Sequence, residues 1–253
     1  MRRVELKEKR TLLILLIFWL AVLSVVFGLT LTQRVSASLR RLPVYSVDTG
    51  EEKKIAVTFD VAWTDDTTDA ILQILSEHSV RASFFFVGEF AEKYPESVRK
   101  ICNAGHDIGN HSMHHNDASK LGYTELCADI EACNDLLFSL TGKTPTLYRA
   151  PSGAYDNEVI EAAESLGMNV IQWDADSIDW KNITPAKMTE RVLGKLSPGG
   201  ILLFHLGKQN TAEALSGILD DILARGYAIV PVSELLISGE SYIDANGKQH
   251  PLP

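Results

Sequence analysis

The sequence predicts an α/β domain built on a parallel β-sheet and preceded by one N-terminal transmembrane helix. Three observations predict this class. The chain has 253 residues, 45% of them hydrophobic and 23% charged, which suits one domain with a short appendage. Short apolar segments alternate about seven times with longer amphipathic ones, as in a parallel sheet with helical crossovers. A long, uncharged apolar segment stands near the start.

The first 33 residues have the pattern of a signal anchor. A basic tail over residues 1–10, predicted to be cytoplasmic, precedes an apolar run over residues 11–33. A helix of this length crosses a bilayer core of about 30 Å, and the basic flank stays on the cytoplasmic side. A cleavable signal peptide is the alternative, because residues 35–37 are small, although its apolar core usually has only about 7 to 15 residues. Either arrangement places the domain outside the cytoplasm, at the cell membrane or secreted.

The charge balance argues against nucleic acid as a partner. Lys and Arg number 24 against 33 Asp and Glu, so the net charge is −9. Residues 1–34 hold six of the basic and two of the acidic side chains, which leaves −13 on the remainder. Nucleic-acid affinity comes mainly from clustered cations. The membrane is therefore expected to be contacted only through the N-terminal helix.

The rest of the chain divides into a linker over residues 34–53, a domain over residues 54–237 and a flexible tail over residues 238–253. The linker and the tail are polar and contain Gly and Pro. Short apolar runs in the domain predict strands over residues 55–59, 82–87, 106–109, 147–149, 169–173, 201–205 and 228–230. A 3.6-residue period predicts helices over residues 69–77, 95–103, 124–140, 157–166, 185–196 and 211–224. The pattern allows a closed or partly closed barrel, or an open doubly wound sheet.

Polar side chains that can do chemistry follow the predicted strands where each strand ends. In a parallel barrel these ends open on one face, so residues remote in sequence converge there. They are Asp60, His111, His115, Arg149, Asp174, Asp176, Asp179 and His205.

The histidines suggest a metal site. On a helical turn, the four-residue spacing of His111 and His115 places two imidazoles on one side, where they can hold a divalent cation. A His cluster is otherwise typical of solvated surface, but Asp60 and His205 at neighbouring strand ends favour the metal. A metal lowers the pKa of its bound water toward about 7, and Asp60 is the candidate base for that water. The alternatives are a capping role for Asp60 and a core position for His205.

Arg149 is the first residue of the segment R-A-P-S-G. Pro151 and Gly153 predict a fixed turn whose free amides, such as that of Ser152, can face an oxyanion, although such residues also mark ordinary surface loops. A buried Arg149 needs a carboxylate partner, which Asp60 or a later aspartate can provide.

Five short motifs occur in the order of a known family. They read T-F-D-V-A-W, N-H-S-M-H-H, R-A-P-S-G, D-S-I-D-W and L-F-H. With them, residues 54–236 resemble a polysaccharide deacetylase of the NodB-like carbohydrate esterase family. The segment P-V-Y-S-V-D-T before the first motif is similar to the membrane-anchored, PdaB-type deacetylases of spore-forming bacteria.

The resemblance implies a deformed (β/α) barrel of about seven strands and a divalent metal, zinc first, with cobalt or manganese as alternatives. It also implies a role for each matching residue. His111 and His115 would hold the metal, Asp60 would be the base oriented by Arg149, Ser152 would offer an amide to the oxyanion, Asp179 would support the general acid His205, and Trp180 with Leu203 would line an acetyl pocket.

One position departs from the family pattern. The family usually has two adjacent aspartates in its first motif, the second a metal ligand, and here that residue is Val61. Asp65 or Asp66 could act as the third ligand, His114 could substitute, or water could fill the position. Loss of an anionic ligand should weaken metal affinity. Trp63, also unusual there, is expected to cover the site, stack on a sugar or belong to the core.

We therefore expect metal-dependent hydrolysis of N-acetyl groups from an extracellular amino-sugar polymer, peptidoglycan first. A catalytically weak or inactive glycan-binding protein on the same fold is the alternative that Val61 supports. An O-acetyl esterase is a further alternative, because esters and amides react through the same kind of tetrahedral intermediate.

Overall fold

The computed structural model describes residues 15–24, 40–181 and 183–252. The chain forms two compact units, Met1–Arg40 and Arg41–Pro253. In the first, residues 15–24 form helix α1, whose large apolar side chains are exposed. No helix of the described residues has both the length and the apolar character needed to span a membrane. Most of the predicted anchor, the whole basic tail and residues 34–39 lie outside the described residues, so the anchor stays a prediction.

The second unit is built on a parallel sheet. Seven strands run side by side in the order β6-β5-β4-β3-β2-β8-β7, and β9 pairs with the start of β2. The strands β6 and β7, consecutive in sequence, stand at opposite edges, so the sheet curls into a half-barrel. This confirms the predicted α/β fold with parallel strands. The bounds are β2 Lys54–Val61, β3 Ser83–Phe86, β4 Asp107–Asn110, β5 Leu147–Tyr148, β6 Asn169–Val170, β7 Ala175–Asp176, β8 Ile201–His205 and β9 Ala228–Ile229.

Helices cover the outside of the sheet and follow the predicted periodicity closely. Pro95 at the first turn of the helix Pro95–Asn103 and the left-handed Gly142 after the helix Tyr123–Thr141 mark a start and an end that the sequence predicts. Two short helices, Gly88–Lys93 and Val232–Leu235, were not predicted from the sequence. The helices are α2 Thr68–Glu77, α3 Gly88–Lys93, α4 Pro95–Asn103, α5 Tyr123–Thr141, α6 Asn157–Ser165, α7 Pro185–Gly194, α8 Gln209–Ala224 and α9 Val232–Leu235.

The second half of the predicted linker belongs to the fold. Val44 pairs with Ile171, just after the edge strand β6, and Ser46 pairs with Gly200, just before β8, so this segment links strands near opposite sides of the half-barrel. A side chain at Gly199 would meet the carbonyl oxygen of Val47 at 1.7 Å, so this approach requires glycine. Burial of Val44 explains why an otherwise polar segment is ordered.

The predicted flexible tail is a β-hairpin. Strands β10, Ser241–Ile243, and β11, Lys248–Pro251, are antiparallel, and β11 also pairs in parallel with β1, Ser46–Val47. The side chain of His250 bonds Asp48 and Asp244. The composition predicted a loop here because the pairing partner lies about 200 residues away in sequence and leaves no local signal.

The buried His106 predicts a pH-dependent stability. Its Nδ1 accepts a hydrogen bond from the Ala82 amide at 3.1 Å, and burial lowers its pKa from 6.5 to about 4. The unfolded chain therefore binds a proton that the folded chain excludes between those two pH values. The contribution of His106 to the free energy of unfolding is fully present above pH 6.5 and is lost as the pH drops toward 4.

Between pH 7 and about pH 4.5, we expect the free energy of unfolding of the wild type to fall. That of the His106→Asn variant should fall by about 2 kcal/mol less. Asparagine keeps an acceptor near the Nδ1 position but does not titrate. Denaturant unfolding at the two pH values measures the difference. An equal loss in both proteins would contradict a neutral, buried His106.

Candidate active site

The site is a cavity of about 440 Å³ at the carboxyl ends of the central strands, called here the acid–base cavity. Of the polar residues predicted to converge at the strand ends, five line it: Asp60, His111, His115, Asp176 and His205. Asp60 lies opposite His205 in the register of β2 and β8, and His111 follows β4 directly. The convergence expected for parallel strand ends is therefore present.

Arg149 holds Asp60 in place. Arg149 is completely buried, and its Nη1 donates to Asp60 Oδ1 at 2.8 Å and to Thr58 Oγ1 at 2.9 Å. Its guanidinium also lies 4.0 Å from the centre of the Phe85 ring. Burial alone would raise the pKa of Asp60, but His111, Arg149 and His205 lower it below its usual range. Asp60 is therefore an ionised, oriented acceptor.

Asp179 holds His205 in a matching way. His205 Nδ1 donates to Asp179 Oδ1 at 2.6 Å, and the His205 amide donates to Oδ2 at 2.7 Å. The Thr211 hydroxyl donates to the same Oδ2 at 2.6 Å. Burial alone would lower the pKa of His205, but the hydrogen bond and charge of Asp179 raise it. Because Nδ1 is occupied, Nε2 is the nitrogen that can deliver a proton.

His111 and His115 come together, although not on a helical turn as predicted. Their ring centres are 5.1 Å apart, and His115, like Ser112, has a positive φ, so a strained loop turns the second ring toward the first. His111 Nδ1 donates to the Arg149 carbonyl at 2.7 Å, and its Nε2 lies 3.5 Å from Asp60 Oδ2. Burial lowers the pKa of His111 to about 4, which leaves a neutral imidazole.

The proposed third metal ligands do not reach the cavity. Asp65 accepts a hydrogen bond from Ser97 at 2.7 Å, Asp66 is exposed, and the exposed His114 binds Glu89 at 2.9 Å. Val61 is completely buried in the main apolar core.

The donor set therefore consists of two imidazoles without the neighbouring carboxylate that the resemblance implies. No group of three or more metal-binding side chains occurs in the described part of the chain. A catalytic zinc usually has three protein ligands. The residues present do not fit a tightly held metal.

The three residues predicted to contact substrate also line the cavity. Leu203 is 2% exposed and therefore lies inside it, whereas Trp180 is 47% exposed and stands at its mouth. Ser152 has a φ of 55°, a left-handed conformation that is strained for serine.

The residues that support Arg149 and Asp179 come from distant elements and were not predicted from the sequence. Thr58 and Thr211 fix Arg149 and Asp179, but a threonine in a strand or at a helix start carries no signal for this role. Asp174, which was grouped with the candidate residues, instead accepts the Ile201 amide at 2.8 Å and holds β8 in place.

The fold and the site together define a half-barrel protein with an acid–base pair at the carboxyl ends of its strands. A family model described as polysaccharide deacetylase matches residues 47–171. The chain is 32% identical to the peptidoglycan-N-acetylglucosamine deacetylase of Bacillus cereus, over 72% of this chain and 68% of that one. The chain belongs to the polysaccharide deacetylase family.

Two further relatives have different descriptions. The uncharacterized protein YlxY of Bacillus subtilis is 33% identical over 79% of this chain, which spans 62% of that relative's length. The crystal structure of a CE4 family pseudoenzyme from Bacillus anthracis is 31% identical, with a TM-score of 0.75 over 77% of this chain and 69% of that one. A mutant of that pseudoenzyme is described as having restored enzymatic activity.

Proposed function

We propose that the acid–base cavity hydrolyses N-acetyl groups on an amino-sugar polymer of the cell wall, with peptidoglycan as the substrate class. The observation that carries this proposal is the pair of supported groups facing one cavity, Asp60 on Arg149 and His205 on Asp179. The name of the Bacillus cereus relative supports the choice of peptidoglycan.

The two groups divide the proton transfers of amide hydrolysis. Asp60 accepts a proton from water, whose oxygen attacks the acetamide carbon. His205 donates its Nε2 proton to the departing nitrogen, which leaves as an amine, and acetate is the second product. The described residues do not fit a tightly held metal that would acidify the attacking water, so Asp60 has to deprotonate ordinary water and we expect a slow reaction.

Non-hydrolytic glycan binding is the second candidate function. Val61 favours it, because valine occupies the position of a carboxylate ligand and the described residues offer no replacement. The pseudoenzyme relative from Bacillus anthracis supports the same alternative.

Acetate release distinguishes the two candidates. The full chain, in detergent, is incubated with N-acetylglucosamine oligomers and with peptidoglycan, and acetate is measured. We expect slow release that Asp60→Asn reduces by at least about 100-fold, since the base is lost. Asp66→Asn, which removes an exposed carboxylate outside the cavity, is the matched control. Glycan binding without acetate would favour the second candidate.

We also propose that the N-terminal segment anchors the protein in the membrane, with the domain outside the cytoplasm. The support is the basic tail of residues 1–10 and the exposed apolar surface of α1.

A further inference from the structure

Two exposed tryptophans stand at the mouth of the acid–base cavity. Trp63 is 45% exposed and Trp180 is 47% exposed, and both line the cavity. The Trp63 ring lies 5.2 Å from the ring of His205, so this indole stands beside the proton donor. Exposed aromatic side chains in a concave site are typical of ligand contacts.

A lysine ammonium group lies over the ring of each of these tryptophans. Lys208 Nζ lies 3.9 Å from the centre of the Trp63 ring, and Lys181 Nζ lies 4.7 Å from that of Trp180. In the described part of the chain, neither ammonium group is paired with a carboxylate, unlike that of Lys100, which binds Asp69. We call Trp63, Trp180 and these two lysines the tryptophan–lysine rim.

The rim differs in charge from the cavity below it. Asp60 and Asp176 both line the cavity, and the chain beyond residue 34 has a net charge of −13. Arg149 compensates the charge of Asp60, but the rim residues include no carboxylate at all, so an anionic substituent of a ligand is favoured at the rim over the part of the cavity beside Asp176. Contact with an indole also restricts the position of each ammonium group before a ligand arrives.

We propose that the tryptophan–lysine rim recognises a carboxylate carried by the sugar polymer, so that the site prefers acidic amino-sugar glycans over neutral ones. Lys208 is the principal contact, because it lies over the indole next to His205. This inference rests on the proposed function, since it names the substrate class of the same cavity.

Binding measurements test the preference without requiring turnover. The full chain, in detergent, is titrated with neutral N-acetylglucosamine oligomers and with oligomers of the same length whose alternate sugars bear a lactyl carboxylate. We expect about ten-fold tighter binding of the acidic glycan at low salt, and a smaller difference at high salt.

Variants assign the preference to the rim. Lys208→Gln should remove most of the preference, because the affinity for the acidic glycan falls far more than that for the neutral one, whereas Lys208→Arg should keep the preference. Lys143→Gln is the matched control, because Lys143 is an exposed lysine just before β5, at the opposite end of the sheet. Equal affinities for the two glycans, or an equal loss of both in Lys208→Gln, would overturn the inference and leave the proposed function standing. Binding of neither glycan would instead count against the proposed function itself.

Discussion

Val61→Asp is expected to convert a weak metal site into a strong one. Val61 ends β2 directly after Asp60 and lies in the apolar core, so a carboxylate at this position has to turn toward His111 and His115 to act as the ligand that they lack. Without metal, the buried charge should lower the free energy of unfolding by about 2–4 kcal/mol. Zinc at about 100 times the dissociation constant should return about 2.7 kcal/mol.

Thermal unfolding with and without zinc measures this prediction. The wild type should shift little, and Val61→Asn, of the same size as the aspartate variant but neutral, should behave like the wild type in zinc. If zinc stabilised the wild type as much as Val61→Asp, then the two imidazoles, with Asp60 3.5 Å from His111, would already form a sufficient site.

Arg149→Met is expected to be among the most destabilising single substitutions in the domain. Arg149 is completely buried, and its loss leaves the Asp60 carboxylate without its cation and Thr58 without its donor. Removal of one partner of a buried ion pair costs about 3–5 kcal/mol, which lowers the Tm of a domain of this size by about 10 °C.

A double-mutant cycle with Asp60→Asn identifies the cause. A neutral asparagine in place of Asp60 no longer needs the guanidinium, so the double variant should be at least about 1 kcal/mol more stable than additivity predicts. Additive losses would mean that Arg149 acts through packing on Phe85 rather than through Asp60.

The positions of the acid–base groups could be predicted from the sequence, and some of their surroundings could not. Asp60 and His205 follow apolar runs that are completely or almost completely buried, and parallel strands bring such ends together whatever the loops do. His111 and His115 were expected to meet on a helical turn. They meet because two residues of the loop have left-handed backbones, which no side-chain pattern indicates.

The hairpin and the strand β7 were not predicted for two other reasons. The hairpin of β10 and β11 is ordered by pairing with β1, which is remote in sequence. The strand β7 has only two residues, which is too short for a periodic pattern. The substitution at Val61 was visible in the sequence, but its consequence was not. Only the structure shows that Asp65 is bound to Ser97 and that, among the described residues, no nearby carboxylate takes over the role of the missing ligand.

The rate of acetate release by Val61→Asp, relative to the wild type in the same zinc buffer, tests the central claim most directly. If the acid–base pair is intact and only the metal site is incomplete, the rate of acetate release should rise at least about ten-fold. Each 1.4 kcal/mol of added transition-state stabilisation raises a rate by a factor of about ten. The gain should vanish in Val61→Asp combined with Asp60→Asn. An unchanged rate in a folded, zinc-loaded Val61→Asp protein would contradict the claim that the missing carboxylate is what limits this site.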